Sequence, residues 1–114
     1  MNIQIYYVKK DFACQKAERF FKERRIPFQW VDLSKHSMGK REIMLFSGGN
    51  PAALVNRENN KVKEHPICYT DDAERICAYL MEDARLMRLP IVRNGQKFTI
   101  GADEAVWTEW VKQG

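Results

Sequence analysis

The chain has few cysteines, and their spacing matches no cysteine-based site. Cys14, Cys68 and Cys77 are an odd number and form no C-x-x-C pair, so a disulfide framework is not expected. Neither His36 nor His65 lies at a spacing typical of a zinc site. We therefore expect no metal and no bound cofactor.

Long hydrophobic runs are also missing. The longest span only a few residues, as from Ile43 to Phe46, whereas about 20 apolar residues are needed to cross a bilayer. The N-terminus has neither the basic start nor the apolar stretch of a secretion signal. The sequence therefore predicts no transmembrane segment and a cytoplasmic location.

Charge of one sign is in only mild excess. Nineteen Lys and Arg against fifteen Asp and Glu give a net charge of +4. Seven of the nineteen lie between positions 9 and 25, without forming a long basic tract. This cluster could attract phosphate or an acidic protein surface, but a solvated helix face with three compensating acids is the commoner explanation.

What the sequence does contain is the composition of a globular domain. It has 114 residues, of which 45% are hydrophobic and 30% are charged. A chain of this length builds one core and leaves no room for a second. We therefore predict a single domain over residues 1–114.

The first third of the sequence predicts a β-α-β unit. Apolar residues alternate over residues 2–8 and again over 28–32, as in two strands. Between them, apolar residues recur at three- and four-residue spacings, which predicts a helix over 12–24 with Asp11 as its N-cap. Strands joined by a crossover of this length should be parallel.

The middle of the chain, about residues 34–88, predicts a helical insertion. Its apolar residues follow helical spacings, and it has almost no β-branched run. Ser37 is a candidate cap for a short helix that ends at Phe46, and Asn50-Pro51 should begin a second short helix.

The second half of the sequence predicts a longer helix, a hairpin and a final helix. The longer helix covers 71–83, with Asp71 as its cap. Asn94-Gly95 between two apolar runs is the strongest short-range hairpin signal, and the final helix should bury Trp107 and Trp110 in the core. The element order β-α-β, insertion, β-β-α predicts an α/β thioredoxin-like fold with a mixed four-stranded sheet.

Several stretches of the chain resemble the arsenate reductase and Spx family of thioredoxin-like, glutaredoxin-related proteins. They are Tyr6-Tyr7-Val8, Cys14 to Ala17, Ile26-Pro27-Phe28, Val31-Asp32-Leu33, Leu86 to Val92 and Gly101 to Glu104. The resemblance spans essentially the whole chain. The resemblance implies the thioredoxin-like fold. It also makes arsenate reduction, with glutathione as reductant, the first activity to consider.

The resemblance places the active site at the start of the first helix, where one residue differs. Arsenate reductases of this family carry their nucleophilic cysteine where this chain has Asp11, and Cys14 matches the second cysteine position of Spx and some relatives. A carboxylate can neither bond arsenic as a sulfur does nor be oxidised, so Asp11 cannot replace the nucleophile. Classical arsenate reductase activity is therefore not expected.

The anion-binding arginines of the family are also incomplete here. Arg57 matches one of them, whereas Leu89 replaces the arginine before the late proline and Gly101 occupies the third position. A guanidinium clamp would be partial. The resemblance implies a cis peptide between Leu89 and Pro90. The residues left as candidate contacts for an anion or substrate are Asp11, Arg57, Arg88, Leu89 and Pro90.

Cys14 has two interpretations. The helix N-terminus and nearby Lys10 and Lys16 favour its thiolate, which could form mixed disulfides, for instance with glutathione. A single cysteine in a packed helix is more often a small buried hydrophobe. Cys77, in the apolar stripe of the long helix, and Cys68, in the connector before it, are expected to be structural. A thiol pKa above the free value of about 8.5 would contradict the redox interpretation.

Two classes of function therefore remain open. The first is a thiol-dependent oxidoreductase that uses Cys14 as a single sulfur. The second is a non-catalytic protein that docks on another protein, as Spx docks on RNA polymerase. Loss of the leading cysteine favours binding, and retention of Cys14 favours chemistry. Neither a membrane nor a nucleic acid is expected as a direct partner.

Overall fold

The structure of the chain is a computed structural model, and it describes residues 1–113. Contacts divide these residues into two compact units. One consists of Met1–Leu33 together with the chain from Leu89 onward, and the other is Ser34–Arg88. The second unit has the bounds of the insertion that the sequence predicts.

The described residues form four strands, five α-helices and three short 3-10 helices. In chain order they are β1 (Ile3–Tyr7), α1 (Phe12–Glu23), β2 (Phe28–Asp32), α2 (Lys40–Phe46), the 3-10 helix Pro51–Leu54, α3 (Asn60–Lys63), the 3-10 helices Pro66–Tyr69 and Ala84–Leu86 on either side of α4 (Ala73–Glu82), β3 (Ile91–Asn94), β4 (Lys97–Ile100) and α5 (Glu104–Gln113).

The first unit is built on a mixed sheet with the strand order β2-β1-β3-β4. β1 pairs with β2 in parallel, and β3 is antiparallel to both β1 and β4. The parallel pair, the hairpin at Asn94-Gly95 and the four-stranded mixed sheet are confirmed. The helical crossover dictates the parallel pair, and Gly95, at φ 62°, supplies the left-handed residue that the hairpin turn requires.

The core of the first unit joins the sheet to α1 and α5. Its buried members include Ile3, Ile5, Phe21 and both tryptophans of α5, so the prediction that these tryptophans are core residues is confirmed. The buried Trp107 Nε1–H donates a hydrogen bond to Thr99 Oγ1 at 2.8 Å. The indole thereby keeps a polar partner inside an apolar core.

The second unit is helical, but its helices begin later than the sequence predicts. Gly39 is the N-cap of α2 in place of Ser37, because Met38 is buried just before the helix starts. Asp72 caps α4 in place of Asp71, and its side chain accepts from the N–H of Glu74 at 3.0 Å. The N–H of Asp72 itself donates to the Thr70 hydroxyl, which fixes this residue at the helix start.

The short helix predicted at Asn50-Pro51 is present, and it is a 3-10 helix. The long helix ends at Glu82, because the Asp83 carboxylate accepts the N–H of Arg85 and begins a separate 3-10 turn. Within residues 1–113, no helix has the length and apolar character needed to cross a membrane.

Candidate functional site

The candidate site begins in the short loop between β1 and α1. Lys10 has a left-handed backbone (φ 66°), and Asp11 follows in an extended conformation. The Asp11 carboxylate accepts the N–H of Cys14 at 3.0 Å, and its carbonyl accepts the N–H of Gln15 at 3.0 Å. Asp11 is therefore the N-cap of α1, as the sequence predicts.

Cys14 is the third residue of α1 and is buried, with 2% of its surface exposed. The pKa of its thiol is raised to about 12, mainly by burial and in smaller part by the Asp11 carboxylate, while a backbone hydrogen bond with Val8 acts in the opposite direction. The expectation that the helix N-terminus would favour a thiolate is wrong. Desolvation disfavours the charged sulfur more strongly than the helix start and the nearby lysines favour it.

Leu89 and Pro90 lead into β3 in the same unit. Both are buried, and the peptide bond between them is cis, so that prediction is confirmed. The Pro90 carbonyl accepts the N–H of Gly101 at 2.8 Å. Gly101 has φ 79°, a left-handed conformation that glycine adopts without the strain of a side chain. In this chain the third arginine position of the resemblance is therefore a turn residue.

Arg57 and Arg88 lie in the second unit, at opposite ends of one short backbone pairing. Val55 forms an isolated antiparallel bridge with Met87, and the N–H of Arg88 donates to the Leu54 carbonyl at 2.7 Å. Antiparallel pairing about this bridge carries the two arginines away from each other. Arg57 lies in a turn, and both arginine side chains are exposed.

A small cavity of about 190 Å³ opens beside the start of α1. Tyr7, Trp30 and Cys14 are among its lining residues. The Tyr7 hydroxyl bonds to the Asp32 carboxylate, and the pKa of Tyr7 is raised first by burial and then by this carboxylate. The sequence alone does not reveal this pair. It depends on the register of two parallel strands, which becomes known only once the strands are paired.

Of the remaining cysteines and histidines, Cys68 and His65 have hydrogen-bond partners. Cys68 Sγ–H donates to the Val62 carbonyl at 3.2 Å, and Cys77 is buried. His65 Nδ1 accepts the N–H of Ile67 at 3.0 Å. Within residues 1–113, no three His, Cys, Asp or Glu side chains gather as a metal site.

The most exposed large apolar side chain at this site is Phe12, the first residue of α1. It is 88% exposed, and it lies directly after Asp11. The sequence already indicates this exposure, although Phe12 is not among the predicted site residues. Phe12 lies outside the apolar stripe formed by Ala13, Ala17 and Phe20 at helical spacing.

No family model matches the chain, and no curated protein does. Solved structures match it over nearly its full length. An arsenate reductase (ArsC) related protein from Brucella melitensis is 19% identical, with 98% of this chain and 96% of that chain covered and a TM-score of 0.73. An arsenate reductase from Vibrio cholerae is also 19% identical, with 96% and 97% covered and a TM-score of 0.78. A protein from Staphylococcus aureus is 25% identical, with 94% and 96% covered and a TM-score of 0.73.

These likenesses extend to both compact units, because each alignment covers more than nine tenths of both chains. The similarity lies mainly in the backbone, since at most about one residue in four is identical. The resemblance that the sequence carries is thus confirmed at the level of the fold. This chain has the α/β fold of the arsenate reductase-related proteins, a mixed four-stranded sheet flanked by helices.

Proposed function

We propose that the chain is a non-catalytic binding protein related to arsenate reductases, and that it lacks their activity. The observation that carries the proposal is the state of the first turn of α1. Asp11 uses its carboxylate to cap the helix, and the one sulfur of that turn, Cys14, is buried with a raised thiol pKa. Neither group offers an attacking thiolate.

The chemistry of arsenate reduction explains why this arrangement is inactive. A thiolate bonds to arsenic and displaces an oxygen as water, and a second thiol then attacks the first sulfur. The resulting disulfide carries the two electrons' worth of oxidation, and arsenic(V) leaves as arsenic(III). Asp11 has no sulfur to oxidise, and its negative charge repels an oxyanion.

The direct test is an arsenate reduction assay with glutathione and glutaredoxin, and separately with thioredoxin. We expect wild-type protein to give no turnover above the protein-free reaction. The Cys14→Ser variant, which removes the only sulfur of the turn, should match wild type. Turnover in wild type that Cys14→Ser abolishes would establish a thiol oxidoreductase and overturn the proposal.

One observation favours the alternative, a single-thiol oxidoreductase: Cys14 lines the cavity of about 190 Å³. In that alternative, the Cys14 thiolate attacks oxidised glutathione, forms a mixed disulfide and releases one reduced glutathione. Mass spectrometry of the native protein after incubation with oxidised glutathione tests this step. On our proposal, Cys14 remains unmodified while the protein is folded and becomes modified after unfolding in urea.

A protein partner and a cytoplasmic location belong to the same proposal. RNA polymerase is the candidate partner that the resemblance to Spx suggests, and purified polymerase can be tested directly for binding. All three cysteines are free thiols, which suits a reducing compartment.

A further inference from the structure

We propose that the outward face of α1 is a docking surface for an acidic protein segment, with Phe12 as its apolar anchor. The outward face of α1 is the set of exposed residues Phe12, Gln15, Lys16, Arg19, Lys22 and Glu23. The inference rests on the proposed binding function and names the surface and the chemistry of the partner. Two independent observations support it, one about apolar exposure and one about charge.

The first observation is the exposure of Phe12. Its ring is 88% exposed, more than any other large hydrophobic side chain in residues 1–113. A phenylalanine has no polar atom to hydrate, so water contact over the whole ring is unfavourable. The helix does not need this ring, because the cap is made by the Asp11 carboxylate and not by the side chain that follows it. An exposed aromatic of this kind suits an apolar face on a partner segment, where it would act as an anchor.

The second observation is where the positive charge lies. Residues 9–25 contain seven Lys and Arg against three Asp and Glu, a net charge of +4 that equals the net charge of the whole chain. The remainder of the sequence is therefore electrically neutral. Within residues 1–113, Lys9, Lys10 and Arg19 form no ion pair, and the contact of Lys16 with Glu104 is long, at 4.0 Å. These cations are available to an acidic partner.

The same stretch favours a protein over a nucleic acid. Glu18 and Glu23 interrupt the basic residues of α1, and Glu18 already holds Lys22 at 2.6 Å. A phosphate backbone carries continuous negative charge and would meet both acids. Phe12 is also a single aromatic residue, whereas strand-binding surfaces present several for successive bases. An acidic segment carries separate charges that can lie away from both glutamates, and its apolar face needs only one aromatic anchor.

The helix presents this face in one fixed conformation. The Asp11 carboxylate fixes its first turn, and its end is closed by a hydrogen bond from the N–H of Ile26 to the Phe21 carbonyl at 3.0 Å. Ala17, Phe20 and Phe21 hold its other side in the core. A docking helix that is already ordered loses little conformational entropy on binding.

The test uses the full chain and a synthetic probe of the stated chemistry. The probe is a fluorescein-labelled peptide of about 16 residues with Leu and Glu at helical spacing. Binding is followed by fluorescence anisotropy at low and moderate salt, and the binding face is mapped by backbone amide chemical shifts. We expect saturable binding that weakens with salt, with shift changes concentrated in residues 9–23.

Two matched pairs of variants separate this surface from general stickiness. Phe12→Ser and Arg19→Glu should each weaken binding by about tenfold or more. Tyr69→Ser removes another exposed aromatic, 77% exposed in the second unit, and Lys97→Glu makes the same charge change on β4. Both control variants should bind within about twofold of wild type. Thermal unfolding of each variant confirms that it is folded.

The inference is overturned if the acidic peptide does not bind at concentrations up to about 1 mM, or if the chemical-shift changes lie outside residues 9–23. It is also overturned if Phe12→Ser and Tyr69→Ser lose affinity equally, or if an oligothymidylate binds more tightly than the peptide. A peptide with Lys in place of Glu should not bind, and its equal binding would likewise contradict the charge argument. The arsenate reduction assay does not depend on peptide binding. Failure of the docking surface can therefore be told apart from failure of the proposal that the protein lacks arsenate reductase activity.

Discussion

At the scale of single residues, the site depends on what Asp11 does for α1. Its carboxylate accepts the N–H of Cys14, one of the orphan donors of the first helical turn. The same carboxylate raises the pKa of the thiol beside it. One side chain thus stabilises the helix start and disfavours thiolate chemistry there.

The capping role predicts different effects for two substitutions of Asp11. Asp11→Ala removes the acceptor and should lower the free energy of unfolding by about 1 kcal/mol. Asp11→Asn keeps a side-chain oxygen at the cap and should lower it by much less. Urea unfolding at neutral pH measures both. Equal stability of wild type and Asp11→Ala would show that the cap contributes nothing.

At the scale of elements, two helices end in the same way with different residues. The second residue after α1 is Arg25, in a left-handed conformation (φ 56°), and the second residue after α2 is Gly48 (φ 65°). In each helix the next N–H reaches back to a carbonyl five residues earlier, from Ile26 to Phe21 at 3.0 Å and from Gly49 to Met44 at 2.9 Å. These are Schellman motifs, in which glycine is the preferred left-handed residue.

Because arginine is strained in that conformation, Arg25→Gly should stabilise the protein. The expected gain is about 0.5 to 1 kcal/mol in the free energy of unfolding. Gly48→Ala is the matched control in α2 and should destabilise by a similar amount. Chemical denaturation of both variants measures these changes. A loss of stability in Arg25→Gly would show that the arginine side chain stabilises the protein by more than its left-handed backbone destabilises it.

The buried hydrogen bond between α5 and β4 gives a second prediction at this scale. Thr99→Val keeps the shape of the side chain but leaves the Trp107 indole N–H without a partner in the core. The free energy of unfolding should fall by about 1 to 3 kcal/mol. Thr99→Ser retains the hydroxyl and should lower the free energy of unfolding less than Thr99→Val, and urea unfolding of both variants measures the difference. A Thr99→Val variant as stable as wild type would contradict the importance of this bond.

At the scale of the whole molecule, the buried thiol couples unfolding to pH. Unfolding exposes Cys14, whose thiol then titrates near the free value of about 8.5, whereas in the folded protein its pKa is raised to about 12. Below both values the thiol is protonated in either state. Between them the unfolded chain binds fewer protons than the folded one, so stability falls as pH rises.

Stability should therefore decline from pH 8 to pH 10, with Cys14 contributing about 1 to 2 kcal/mol of the loss. The Cys14→Ala variant lacks this contribution and should show a shallower decline, although it starts from a lower stability at neutral pH. Urea unfolding across this pH range measures the difference in slope. Parallel declines for wild type and Cys14→Ala would mean that the folded thiol titrates normally.

The sequence by itself determined the features that follow from local chemistry. The alternation of apolar residues predicted β1 and β2, and the Asn94-Gly95 turn predicted the hairpin. A side-chain hydrogen-bond acceptor just before an apolar helical stripe predicted the Asp11 cap. Each depends on neighbours within a few residues, where side-chain periodicity and turn conformation act directly. The short caps of the second unit were placed less accurately, because burial of Met38 and the hydroxyl of Thr70 decide where those helices begin.

Only the tertiary structure decided how far the Cys14 thiol is buried. The pKa of the Cys14 thiol depends on how completely α1 and the sheet exclude water, and this desolvation is a property of packing that the helix sequence does not contain. The pairing of the segment before Arg57 with the segment before Arg88 likewise joins residues more than 30 positions apart, which no local pattern reveals. Residue types determined the helix start and its cap, and three-dimensional packing determined the burial and the pKa of the Cys14 thiol.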